Sequence, residues 1–292
     1  MDVVKKKAYA KINLGLDVTA KRPDGYHEVR MIMQNIGIHD ELTFKKQDGG
    51  ISLKTDCLEL PVDGNNLVYR AARLIKEEFG ITQGVHIQLK KRIPIAAGLA
   101  GGSADAAAVF KGMNDLFGLD MSPERMCGLG VKIGADVPYC ILGGTALAEG
   151  IGEKLTPLPD APNMVILLAK PDMQVSTREV YGQLSVEELK SHPDIDGMTK
   201  AVIRHDADGI MERMGNVLES VTAERYPVID EIKSFMKEHG AVHAMMSGSG
   251  PAVFGIYREQ EQAGRAYLEL KKTGLAKDLE VTTFAVSNKE DV

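Results

Sequence analysis

The segment Pro94-Ile95-Ala96-Ala97-Gly98-Leu99-Ala100-Gly101-Gly102-Ser103-Ala104-Asp105-Ala106-Ala107-Ala108 constrains this chain more than any other. Its glycines and alanines lead directly into Val109, Met113, Leu116 and Phe117, which keep helical spacing. Small side chains at a helix start leave backbone N–H groups bare. Those groups and the positive end of the helix dipole attract polyanions. The loop lacks the Gly-Lys-Ser/Thr ending of a P-loop, and no Gly-x-Gly-x-x-Gly of a dinucleotide site can be read from it. The competing explanation is a tight helix packed through small residues.

The chain has 292 residues, room for one large domain or two ordinary ones. A net charge of −6 argues against a general nucleic-acid binder, and the absence of tryptophan weakens a base-stacking role. Anion binding must therefore come from local structure rather than the global field. Cys57, Cys127 and Cys140 have no metal-ligand spacing and read as buried thiols of a reducing compartment. The basic start, Met1 to Lys7, is followed by Lys11 and Asp17, so it has no signal-peptide core. The longest apolar run, Met164 to Ala169, is too short to span a bilayer. These features predict a cytoplasmic protein.

Ala8 to Thr19, Val29 to Ile38, Glu41 to Lys46 and Ile51 to Thr55 read as strands, with Arg22-Pro23-Asp24-Gly25 as a turn and Gln47-Asp48-Gly49-Gly50 as a hairpin. Asn65 or Asn66 caps a helix that ends at Gly80. The strand Val85 to Lys90 then feeds the glycine loop. Ser122-Pro123-Glu124 starts a helix to about Ile133, and Tyr139 to Leu158 reads as strand-rich. Pro157, Pro159 and Pro162 punctuate the chain, which predicts domains at 1–160 and 161–292. The second half reads as a strand Met164 to Ala169, polar helices including Val228 to His239, strands Ala241 to Met246 and Val253 to Tyr257, a helix Glu259 to Thr273 and a last strand Glu280 to Val286. Strands and helices are mixed rather than strictly alternating, so the fold class is α+β.

Four clusters offer chemistry: Lys11 with Asn13, the glycine loop, Gly134-Ala135-Asp136-Val137-Pro138, and Ser247-Gly248-Ser249-Gly250-Pro251. Each also has a plain alternative. Lys11 suits a solvated strand edge, Asp136 suits a helix cap, and the serine-glycine segment suits an ordinary turn. Met31, Met33, Met245 and Met246 read mostly as core or surface. No histidine pair has metal-ligand spacing, so no metal site is predicted.

Together these clusters resemble the GHMP kinase family in their order: an early strand motif, a Pro-x-x-x-Gly-Leu-x-x-Gly-Ser-type loop and a glycine-rich third motif. Ala10-Lys11-Ile12-Asn13-Leu14-Gly15-Leu16, Arg22-Pro23-Asp24-Gly25-Tyr26-His27 and Gly134-Ala135-Asp136-Val137-Pro138 look like the branch of that family acting on a methylerythritol that carries a cytidine diphosphate. The resemblance covers nearly the whole chain. It implies a ribosomal-S5-like N-terminal domain, a ferredoxin-like C-terminal domain and an active site between them. It also implies ATP-dependent phosphorylation of the substrate's tertiary 2-hydroxyl, a step towards isoprenoid precursors, with Mg²⁺ accompanying ATP. By this resemblance Asp136 is the base, and Lys11 is the cation that orients it. Pro94, Ala96, Ala97, Gly98, Leu99, Ala100, Gly101, Gly102, Ser103 and Ala104 hold the phosphates, and Asn66 and Leu67 meet the base of ATP. Asn13, Tyr26, His27, Met33 and Tyr181 meet the substrate, and Ser247, Gly248, Ser249 and Gly250 form the third glycine motif. If Lys11 and Asp136 pair, the carboxylate stays ionised. Met33 stands where relatives carry an aromatic residue. Ala100 replaces a glycine found in many such loops, which is tolerable if its φ is negative.

The rival enzyme readings are a homoserine or mevalonate kinase. A rival of another class is a non-catalytic protein that binds RNA or a ligand on the same fold. The acidic charge and the joint presence of Lys11 and Asp136 count against the latter. The expected partner is a small molecule, with no nucleic acid and no membrane.

Overall fold

A computed structural model describes residues 2–285 of the chain. Two sheets organise it. The first is built on two long antiparallel strands, β1 (Val3–Lys21) and β2 (His27–Gln47). In β1, Ala8, Ala10, Ile12 and Leu14 enter the core, and the alternation of a strand sends Lys11 and Asn13 to the opposite face. Register shifts at Tyr9/Lys11 and Asn13/Gly15 flank those two residues, and such bulges re-aim side chains.

The chain continues through β3 (Ile51–Thr55), α1 (Leu67–Glu78), β4 (Gly84–Lys90), α2 (Gly101–Phe117), α3 (Pro123–Gly130), α4 (Val137–Leu142), β5 (Thr145–Gly150) and β6 (Lys154–Leu158). Asn66 caps α1 by accepting from the Val68 amide, and Ser122 caps α3 by accepting from Arg125. After α3 the chain leaves regular helix before Ile133. Helices α1 and α2 pack together, and small residues of α2 allow close approach. A Cβ at Gly112 would lie 2.3 Å from the Phe44 ring.

The second sheet holds β7 (Val165–Lys170), β9 (His243–Met246), β10 (Val253–Tyr257) and β11 (Asp278–Thr283), in the order β11-β7-β10-β9 with every pair antiparallel. Between β7 and β9 lie α5 (Thr177–Gln183), α6 (Ile195–Ile203), α7 (Ala207–Glu212), the short strand β8 (Gly215–Asn216), α8 (Glu219–Arg225) and α9 (Val228–Glu238). With α10 (Gln260–Thr273) before β11, this is the β-α-β-β-α-β order of a ferredoxin-like unit, with extra helices in its first crossover. One apolar cluster joins Ile12 and Phe110 to Ile166 and Phe254, so the two sheets share a core.

Several sequence expectations change. Val29 to Ile38 and Glu41 to Lys46 form one strand, β2, rather than two. Gln47 to Gly50 is not a hairpin, because β4 inserts between β2 and β3 and pairs with both. Tyr139 to Leu142 is helical, with Pro138 in the first turn of α4, where its missing N–H costs nothing. Ala241 and Val242 precede β9, and the expected last strand ends at Thr283, Val286 lying outside the described residues. The change of sheet falls between Leu158 and Val165, yet β8 returns to pair in parallel with β1. The three cysteines are free and half-buried rather than buried. No helix among the described residues is long and apolar enough to cross a membrane.

Candidate active site

A cleft of about 1040 Å³ gathers almost every residue singled out in the sequence. Lys11, Asn13, Tyr26, His27, Met33, Leu67, Pro94, Ile95, the loop from Ala96 to Ser103, Asp136, Tyr181, Gly248 and Ser249 all line it. Four expected residues do not. Asn66 spends its side chain on the Val68 amide and the Pro61 carbonyl, Ala104 is buried in the core, and Ser247 and Gly250 sit behind the third glycine turn. Lys21, Lys91, Thr177 and Arg178 also line the cleft, though no motif marks them.

The glycine loop is clamped from both sides. Lys11 donates its backbone N–H to the Leu99 carbonyl at 3.1 Å, and its ammonium reaches the Gly98 carbonyl at 3.2 Å. Ser247 donates its hydroxyl to the same Gly98 carbonyl at 3.1 Å, and the Ala252 amide donates to Ala97 at 3.2 Å. The first intrahelical bond of α2 runs from the Ala104 amide to the Ala100 carbonyl. The Gly101, Gly102 and Ser103 amides therefore have no backbone partner among the described residues, and Ala100 supplies no side-chain cap. Those bare donors make an anion cradle at a helix start.

Ala100 has φ +56° and Ala96 φ +50°, so the condition under which a methyl at Ala100 would be unstrained is not met. Left-handed backbone at a residue with a Cβ costs roughly 1–2 kcal/mol, and such strain collects at functional sites.

Lys11 is buried and donates to Asn13 Oδ1 at 2.8 Å, which rules out a solvated strand edge. No ion pair within 4 Å joins it to Asp136 among the described residues, so the two do not pair directly. Asp136 precedes α4 but its side chain caps nothing, which removes the capping explanation. Its carboxylate is left on the cleft wall. Charges of both residues reach Cys140. Burial pushes that thiol up, the Asp136 carboxylate adds to the rise and Lys11 opposes it.

The far end of the cleft is aromatic. Tyr26 is 60% exposed, whereas His27 is buried with its ring 5.3 Å from that of Tyr181 and tilted by 41°. Burial first, and Lys21 second, lower the His27 pKa, so the ring is neutral at pH 7. Its Nε2 has no hydrogen-bond partner, which marks an unmet polar group at this end. Burial and then the Asp136 charge keep the Tyr181 phenol protonated. Met33 is fully buried and forms floor rather than wall.

Beneath the loop, Lys91 pairs with Asp40 and, at 2.8 Å, with Asp105. Burial raises the Asp105 pKa to about 8 despite Lys91, with Asp40 adding to the rise. Its Oδ1 has no partner. Among the described residues no group of three or more His, Cys, Asp or Glu is arranged to hold a metal ion.

A fold of this kind, with a helix-start anion cradle facing a lone carboxylate and a buried lysine, defines a small-molecule phosphotransferase. The family models "GHMP kinases N terminal domain" and "GHMP kinases C terminal" match residues 66–144 and 198–276, and the chain belongs to the GHMP kinase family. It is 51% identical over 285 residues, 97% of this chain and 98% of the relative, to the 4-diphosphocytidyl-2-C-methyl-D-erythritol kinase of Lachnoclostridium phytofermentans. A crystal structure of 4-(cytidine 5'-diphospho)-2C-methyl-D-erythritol kinase superposes with a TM-score of 0.83 at 32% identity, covering 97% of this chain and 99% of that one. The homoserine kinase of Cytophaga hutchinsonii superposes at 0.78 over 98% of this chain and 95% of its own, but at 23% identity that likeness is one of fold.

Proposed function

We propose that this chain is the ATP-dependent kinase of 4-diphosphocytidyl-2-C-methyl-D-erythritol, phosphorylating its 2-hydroxyl in the cytoplasm. The observation that carries the reading is the single cleft, which joins the helix-start cradle, the Lys11–Asn13 pair, Asp136 and an aromatic end. Those parts match a substrate with a reactive alcohol in the middle and a pyrimidine at one end. The division into domains 1–160 and 161–292 belongs to the same reading.

The chemistry follows from the parts. Phosphoryl transfer is mostly positioning and charge stabilisation, with one group to take the hydroxyl proton. The amides of Gly101, Gly102 and Ser103 hold the phosphates of ATP. Asp136, which has no cap or ion-pair partner among the described residues, accepts the proton of the attacking hydroxyl. Lys11 is held in place by Asn13 and Gly98, so its charge is preorganised for the anion that develops during transfer. Leu67 and the backbone beside it face the base of ATP, with Asn66 fixing that turn as a cap. Tyr26, His27 and Tyr181 take the cytosine. The Ser103 hydroxyl on the cleft wall would help to hold a Mg²⁺ bound mainly by ATP, which would supply charge neutralisation on the phosphates.

ATP consumption measured with the cytidine-diphosphate substrate beside homoserine and mevalonate tests the reading. Turnover confined to the first substrate supports it, and turnover of either amino-acid or mevalonate alcohol in its place contradicts it.

A further inference from the structure

The walls of the cleft carry two cations that the proposed chemistry does not use. Lys21 stands at the end of β1, and Arg178 in the first turn of α5. Both are exposed and have no carboxylate partner among the described residues. The acids nearest them in sequence are already taken. Arg22 binds Asp24 at 2.9 Å and Glu28 at 3.0 Å, and Arg225 binds Glu179 at 3.2 Å. Lys91, the other cleft lysine, is neutralised by Asp40 and also donates to Asp105. In a chain of net charge −6, two unpaired cations opposite one free carboxylate, Asp136, are a local positive field.

Their position says what they meet. At the start of α5, Thr177 Oγ1 lies 2.7 Å from Ser249 Oγ in the third glycine turn. One turn later the Tyr181 ring lies beside that of His27, tilted against it, at the aromatic end. Arg178 lies between these contacts, three residues before Tyr181 and so on the same helix face. Lys21 sits opposite His27 in the β1–β2 register and lines the same cleft, so its charge is felt by the His27 ring. A ligand with its base against Tyr181 and His27 and its alcohol near Asp136 occupies the cleft whose wall Arg178 also lines.

We propose that Arg178, assisted by Lys21, binds the diphosphate that links the cytidine and polyol of the substrate. This rests on the function proposed above and adds the residue that recognises the anionic linker. A guanidinium fork suits a phosphate better than an ammonium, because it offers two parallel N–H donors. Arg178 would thus position the substrate and separate it from neutral alcohols that lack the linker.

Steady-state kinetics of wild type, Arg178→Gln, Arg178→Lys and Lys21→Gln, each at low and high salt, tests this. Both side chains are exposed and unpaired, so the substitutions leave the fold intact. Arg178→Gln is expected to raise KM for the diphosphate substrate about tenfold, the scale of one charged hydrogen bond, with KM for ATP unchanged. Arg178→Lys should fall between the two, and Lys21→Gln should have a smaller effect. Wild-type kcat/KM should drop as salt rises, and the drop should be shallower in Arg178→Gln. An unchanged KM for the diphosphate substrate in Arg178→Gln, or an equal rise in KM for ATP, overturns the inference alone. A folded wild type that does not phosphorylate this substrate overturns the underlying function and the inference with it.

Discussion

Gly98 and Ser247 approach so closely that a Cβ on Gly98 would lie 2.2 Å from the Ser247 carbonyl oxygen. Gly98 also has φ +77°, and its own carbonyl accepts from Ser247 and Lys11. One glycine thus ties the glycine loop to the third glycine turn and to β1. Gly98→Ala should therefore cost more than the roughly 1–2 kcal/mol of left-handed backbone. Thermal melts should show the loss, and ATP affinity should fall as the loop is pushed from its turn. By contrast, Gly101 and Gly102 have no positive φ, and their nearest neighbours are the side chains of Ile93 at 3.1 Å and Leu67 at 3.4 Å. Valine at either should weaken ATP by covering the amides, with a milder effect on stability.

Tyr26→Ala should weaken the cytidine substrate by roughly 1–3 kcal/mol, the scale of one base stacked on one ring. The ring is mostly exposed, so melting should hardly change. Calorimetry with the substrate and with ATP separates the outcomes. Loss for the substrate alone fits, whereas equal loss for both, or loss for ATP alone, removes Tyr26 from the cytosine end.

Asp105 gives a pH dependence. Burial raises its pKa in the folded chain to about 8, from the ordinary carboxyl value of 3.8. The folded state therefore holds a proton that the unfolded chain has released between those values. Stability from this group is full below about pH 4 and is lost as pH rises to about 8, by at most about 1.4 kcal/mol per pH unit. Asp105→Asn should flatten the melting temperature across pH 5 to 8. A wild-type melting temperature that rises over that range, with Asn and Asp proteins alike, contradicts this.

Much of the site is legible in the sequence because its motifs are local. Lys11 and Asn13 share a strand face by simple alternation, and the small residues before α2 announce a bare helix start. The misreadings have non-local causes. Nothing near Gln47 reveals that β4, more than thirty residues on, will insert beside β2. Val137, Tyr139, Cys140 and Ile141 have strand character, and packing of α4 against α2 and α3 overrides it. Lys21 and Arg178 belong to no motif, and only the fold brings them to one cleft.

Asp136→Asn should lower turnover by roughly 10²–10⁴-fold, since an amide keeps the size of the side chain but accepts no proton. ATP affinity and fold should survive, because Asp136 makes neither a cap nor an ion pair among the described residues. Lys11→Met should likewise reduce rate more than nucleotide binding.

The most direct measurement is ³¹P NMR of the product formed from ATP and 4-diphosphocytidyl-2-C-methyl-D-erythritol by the wild type and by Asp136→Asn. One new phosphomonoester resonance beside an intact diphosphate pair is expected, formed rapidly by the wild type and barely by the variant. No new monoester with the wild type, or equal formation by a folded Asp136→Asn protein, would contradict it.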